Sequence, residues 1–96
     1  MSKIGADAAI KALKGWKKSD GERDAIEKAY RFTDFKTAFA FMSATALKAE
    51  QMDHHPEWFN VYNKVEVILT THDADGVTQK DLELAGFMDQ LASRLG

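Results

Sequence analysis

The sequence predicts an α+β domain: a small antiparallel four-stranded sheet made from two hairpins, with helices packed on one face. Three observations carry that expectation. Residues 34–52 and 82–95 show apolar positions at helical spacing, residues 65–71 form a β-branched run directly after an aromatic strand-forming segment, and Ile26, Tyr30 and Phe32 share one strand parity after a Ser19-Asp20-Gly21 turn. With 96 residues the chain is one domain, 1–96, since a second core could not be built from so little sequence.

In order, Ala9, Ile10 and Leu13 predict a short first helix over about residues 6–14, closed by Gly15 as a residue tolerant of positive φ. Trp16–Ser19 reads as a brief extended piece, and the turn at 19–21 makes it the first strand of a hairpin whose second strand runs to Phe32. Ala25, Ile26, Ala29 and Tyr30 would also make a helical face. Thr33 or Asp34 can cap the next helix, in which Phe35, Phe39, Met42, Ala46 and Ala49 recur at spacings of 4, 3, 4 and 3. That stripe is expected to pack on the sheet, leaving a second stripe of Ala40, Ala44 and Leu47 for another helix. Pro56 is expected to end the helix, because proline disfavours helical geometry at His55. Trp58–Tyr62 and Val65–Thr71 then form a second hairpin across Asn63-Lys64. Thr78-Gln79-Lys80-Asp81 resembles a capping box, opening a last helix with the stripe Leu82, Ala85, Met88, Ala92 and Leu95.

Composition narrows the chemistry. Thirteen Lys+Arg against 15 Asp+Glu give a net charge of −2, without the basic excess that a phosphate backbone attracts, so nucleic acid is not expected as a direct ligand. No cysteine is present, which removes disulfides, thiolate nucleophiles and Cys-based zinc sites. No apolar run approaches the roughly 20 residues of a membrane span, and the N-terminus lacks a secretory apolar region, so the expectation is a soluble cytoplasmic protein that does not enter membranes.

All three histidines, His54, His55 and His72, fall within one short stretch. Glu50 lies four residues before His54, so on a persisting helix the carboxylate would hold that imidazole in one tautomer. The bland alternatives are a helix-end His acting as a cap and a solvated ion pair. Trp58 and Tyr62 read equally as core aromatics or a stacking platform, and Asp81 as the acidic partner of the Thr78 cap. Asp73-Ala74-Asp75-Gly76 looks like a calcium loop, but aligning Gly76 to the loop's glycine puts Leu82 where the bidentate Glu belongs. A transition-metal site from His54, His55, His72 and Asp73 matches no standard spacing, and no metal is expected.

The pattern Glu50-x₃-His54-His55-Pro56-x₅-Tyr62-x₉-His72-x₈-Asp81, with the unbroken segment Asp53–Val65, resembles the signature of the pterin-4a-carbinolamine dehydratase family, known in animals also as the dimerisation cofactor of a hepatocyte homeodomain transcription factor. The likeness extends through Gly15-Trp16, Phe32-x-Asp34-Phe35 and Phe41-Met42, covering roughly residues 12–95. It implies a hydro-lyase that dehydrates 4a-hydroxytetrahydropterin to quinonoid dihydropterin, recycling the pterin of aromatic amino acid hydroxylases without a metal or organic cofactor. It also implies that His54, His55 and His72 line the pterin pocket as proton-transfer and binding groups, with Glu50, Pro56, Trp58, Lys80 and Asp81 binding substrate. Lys80 stands where animal members carry Arg, exchanging a planar fork for a point charge. The resemblance further implies a homotetramer built as a dimer of dimers. The alternative reading is a protein-interaction module, since animal relatives also bind a transcription factor's dimerisation helices.

Overall fold

A computed structural model describes residues 2–96. The order is α1 (Ala6–Ala12), β1 (Lys17–Lys18), β2 (Ile26–Arg31), α2 (Phe35–Met52), β3 (Glu57–Val61), β4 (Lys64–Leu69), a 3₁₀ turn at His72–Ala74, and α3 (Gln79–Leu95). The four strands form one antiparallel sheet in the order β1-β2-β4-β3, so the two predicted hairpins meet through β2 and β4. The register pairs Ile26 with Leu69 and Tyr30 with Val65, and Trp58 of β3 with Val67. Strand alternation therefore sends Ile26, Tyr30, Val65, Val67 and Leu69 to one face, where all are buried against Ala6 and Ala9 of α1, Phe41 of α2 and Leu84 and Met88 of α3. The opposite face carries Glu27, Glu66 and Phe59 to solvent.

Local chemistry sets the ends of the elements. Asp34 caps α2 by accepting the Thr37 N–H at 2.9 Å. Thr78 and Asp81 form the capping box of α3, as the sequence predicted. Gly15 has φ +87, a backbone conformation that side-chain-bearing residues rarely adopt, so the turn after α1 favours glycine. Asp89 of α3 accepts hydrogen bonds from Trp16 Nε1, Lys28 Nζ and Tyr30 OH at 3.1, 2.7 and 2.6 Å, tying the helix to the first hairpin. Burial, reinforced by this carboxylate, pushes the Tyr30 hydroxyl well above its usual pKa and keeps it a donor.

Three expectations are corrected. The inner face of α2 is Ala38, Phe41, Thr45 and Ala49, whereas Phe35 and Phe39 of the expected inner stripe are 47% and 56% exposed; Leu47, expected to lie off the sheet, is 69% exposed. The helix is turned by about a quarter of a revolution from the expected stripe. Phe41 decides this: its ring packs 4.8 Å from Tyr30 and 5.0 Å from Phe32, centroid to centroid, filling the gap above β2. The second hairpin turns at Tyr62-Asn63, with Tyr62 at φ 49, one residue before the expected Asn63-Lys64. Finally, Asp53 rather than Pro56 ends α2: it adopts the left-handed conformation, φ 51, and its N–H reaches the carbonyls of Ala49 and Glu50.

Candidate active site

The reversal at Asp53 creates the site. With Asp53 left-handed, the His54 N–H closes on the Ala49 carbonyl at 3.0 Å, and the next two side chains leave in opposite senses. His54 is buried, its Nε2 2.5 Å from Asp81 Oδ1 at the start of α3. His55 is exposed, its Nε2 2.5 Å from Glu50 Oε2. The expected Glu50–His54 pair is therefore replaced by Glu50–His55, because the helix no longer continues beneath His54 to keep the four-residue spacing on one face.

The third imidazole arrives from β4. Beyond Leu69 the backbone of Thr71 exchanges hydrogen bonds with Gly76 at 3.0 and 3.2 Å, pinching a tight loop that presents His72 on its 3₁₀ turn. His72 is exposed, and its Nε2 lies 3.8 Å from Glu57 Oε2 at the start of β3. Arg23 grips Glu57 with two hydrogen bonds of 2.7 and 2.8 Å, and that guanidinium holds the Glu57 carboxyl below the usual carboxylate range. Each histidine thus has a carboxylate partner, and the three pairs differ in strength and burial.

His54, His55 and His72 line one cavity of about 380 Å³, together with Pro56, Glu57 and Lys80. That volume lies within the range of small-molecule sites. Glu50 stands one step back, behind His55, and Asp81 behind His54, fully buried. Trp58 does not reach this cavity: it packs on the core from the helix-facing side of β3. A larger cavity of about 490 Å³ lies over the open face of the sheet, floored by Ala29, Phe59 and Ile68. It holds no histidine, and its carboxylates Glu27, Glu57 and Glu66 are occupied by Lys17, Arg23 and Lys64.

Thr71, Glu57 and Arg23 were not singled out in the sequence. Thr71 and Glu57 adjoin His72 and Pro56, so the motif pointed to their neighbourhood, but nothing marks Arg23, which reaches Glu57 across the sheet from 34 residues earlier. Chemically, three imidazoles around one cavity offer both proton donors and proton acceptors, and the buried Asp81 holds one of them in place.

The family model described as Pterin 4 alpha carbinolamine dehydratase matches residues 1–91. A curated protein of Paraburkholderia xenovorans, provisionally named a pterin-4-alpha-carbinolamine dehydratase, is 55% identical over 84 residues, covering 88% of this chain and 86% of that protein. A crystal structure from Brucella melitensis, described as a transcriptional coactivator/pterin dehydratase, is 52% identical with a TM-score of 0.85, covering 90% of each chain. A pterin dehydratase-like protein described as a RuBisCO assembly factor in the alpha-carboxysome shares the fold at TM-score 0.70 and 21% identity, covering 82% of this chain and 90% of its own. By the family model across residues 1–91 and the 55% identity to a curated relative, the chain belongs to the pterin-4a-carbinolamine dehydratase family.

Proposed function

We propose that this protein dehydrates a 4a-hydroxytetrahydropterin to the quinonoid dihydropterin, with histidines as the general acid and base. The observation that carries the reading is the convergence of His54, His55 and His72 on a single cavity in a chain of this family. In the reaction the C4a–O bond breaks as an imidazolium gives its proton to the departing hydroxyl. The N5 electron pair forms the C4a=N5 bond, and a neutral imidazole takes the N5 proton. Water leaves and no electrons are exchanged with a second reactant, so the step calls for no redox partner. His54 and His72 are the proton-transfer groups in this reading. His55, with Glu50 behind it, binds the substrate along with Pro56 and Lys80. A positioned acid or base contributes about 10²–10⁴-fold.

The test is dehydration of synthetic 4a-hydroxytetrahydropterin after exhaustive chelation, with the spontaneous rate subtracted. Turnover above background, unchanged by EDTA, supports the reading. Absence of turnover, or activity that needs added zinc, overturns it.

The assembly belongs to the same proposal: the protein works in the cytoplasm as a homo-oligomer, a dimer of dimers. Phe35, Phe39 and Leu47 leave apolar surface on α2 that its own sheet does not cover, and copies of that helix can pack on one another. The free edges of β1 and β3 offer a second contact. The same α2 face would serve the interaction-module alternative, and the mass of the isolated protein separates the two.

A further inference from the structure

We propose that Thr71 and Thr78 set the tautomer of His54, so that its Nδ1 is the nitrogen that meets the substrate. Every donor and acceptor behind His54 can be assigned. Asp81 is 0% exposed, and its Oδ2 accepts the Thr71 hydroxyl at 2.8 Å and the Thr78 N–H at 2.9 Å. Thr71 has only one hydroxyl hydrogen, and it is spent on Asp81. In the 2.8 Å contact between the two threonines, Thr78 therefore donates and Thr71 accepts. The Lys80 N–H in turn donates to the Thr78 oxygen at 3.3 Å. The chain runs one way, from the first turn of α3 through two hydroxyls to the carboxylate.

The remaining oxygen, Oδ1, faces His54 Nε2 at 2.5 Å. A carboxylate only accepts, so Nε2 carries the hydrogen, and in the neutral imidazole Nδ1 is left with the lone pair. Thr71 is thus a positioning residue for His54, while its backbone anchors the loop that carries His72. Replacing its hydroxyl with a methyl group strips Oδ2 of one donor and leaves the Thr78 hydrogen without an acceptor. Oδ2 then keeps only the Thr78 N–H, so the carboxylate is held less firmly against Nε2 and the Nδ1–H form becomes accessible to His54.

The kinetic part of this proposal rests on the dehydratase reading; the tautomer does not. Long-range ¹H–¹⁵N NMR of the substrate-free wild type should show His54 as the Nε2–H form near neutral pH. In Thr71→Val the Nδ1–H form should appear beside it. The variant should lose about tenfold in kcat, keep KM within about twofold, and show a displaced limb of its pH–rate profile. Thr71→Ser should recover both the spectrum and the profile. A wild-type His54 protonated on Nδ1 overturns the proposal, and so does a Thr71→Val protein with the wild-type tautomer and pH profile. Should Thr71→Val not fold, Thr71→Ala takes its place in both measurements, since the wild-type spectrum reports on Asp81 and not on the threonine. A protein that shows the Nε2–H form but turns over no carbinolamine would refute the dehydratase reading and leave the tautomer assignment standing.

Discussion

His54 and His72 occupy the same cavity under opposite conditions, one buried against Asp81 and the other exposed beside Glu57. Replacing them by alanine should therefore give different results. His72→Ala should lower kcat/KM at least about tenfold, or ~1.4 kcal/mol, with an unchanged thermal midpoint, because an exposed ring adds little packing. His54→Ala should lose at least as much activity and also stability, by about 1–3 kcal/mol, since Asp81 Oδ1 is left buried without a partner. Both are read by steady-state kinetics beside thermal melts. Two variants with wild-type rates would make the histidines structural caps. Asp34 supplies a pH prediction. Hydrogen bonds from Lys36 and Thr37 lower its pKa from 3.8 to about 2. A depressed acid favours the folded state above its unfolded pKa and loses that advantage as pH falls towards the folded value. Asp34→Ala should lower the melting midpoint at neutral pH and reduce the loss of stability between pH 3.8 and about 2, measured by melts across that window.

The helices show where element-level signals end. α2 buries Thr45 completely in its inner face, and its hydroxyl has no hydrogen-bond partner among the described residues. Thr45→Val keeps the shape and removes that unmet polar group, so it should stabilise the fold by about 1 kcal/mol, or roughly 4–8 °C in the melting midpoint. An unchanged or lower midpoint would show that the hydroxyl is satisfied. In α3 the capping box was readable because Thr78 and Asp81 are three residues apart and local. That Asp81 also turns inward to His54 was not readable, because the two are 27 residues apart.

The whole molecule leaves α2 unfinished. Its sheet-facing side is satisfied by Phe41, while Phe35, Phe39 and Leu47 remain exposed on a chain of 10.7 kDa. Light scattering at micromolar concentration should give a mass several times that of the monomer. Leu47→Glu and Phe39→Glu should each shift it downward by placing like charges at a symmetric contact. A wild type that scatters as a monomer refutes the assembly while leaving the chemistry of the cavity untouched.

The sequence by itself determined which segments become helices and strands, and that the histidines share a neighbourhood. Helical period, strand parity and caps act over a few residues, and the motif from Glu50 to Asp81 is spaced along a single stretch of chain. Tertiary structure decided which side of α2 meets the sheet, because the helical period pointed to the Phe35/Phe39 stripe while the space above Tyr30 and Phe32 selects Phe41. It also decided who partners whom. The left-handed Asp53 gives Glu50 to His55, the start of α3 gives Asp81 to His54, and Arg23 crosses the sheet to hold Glu57 beside His72. Those pairings depend on where separate elements come to rest against one core, which no local signal encodes.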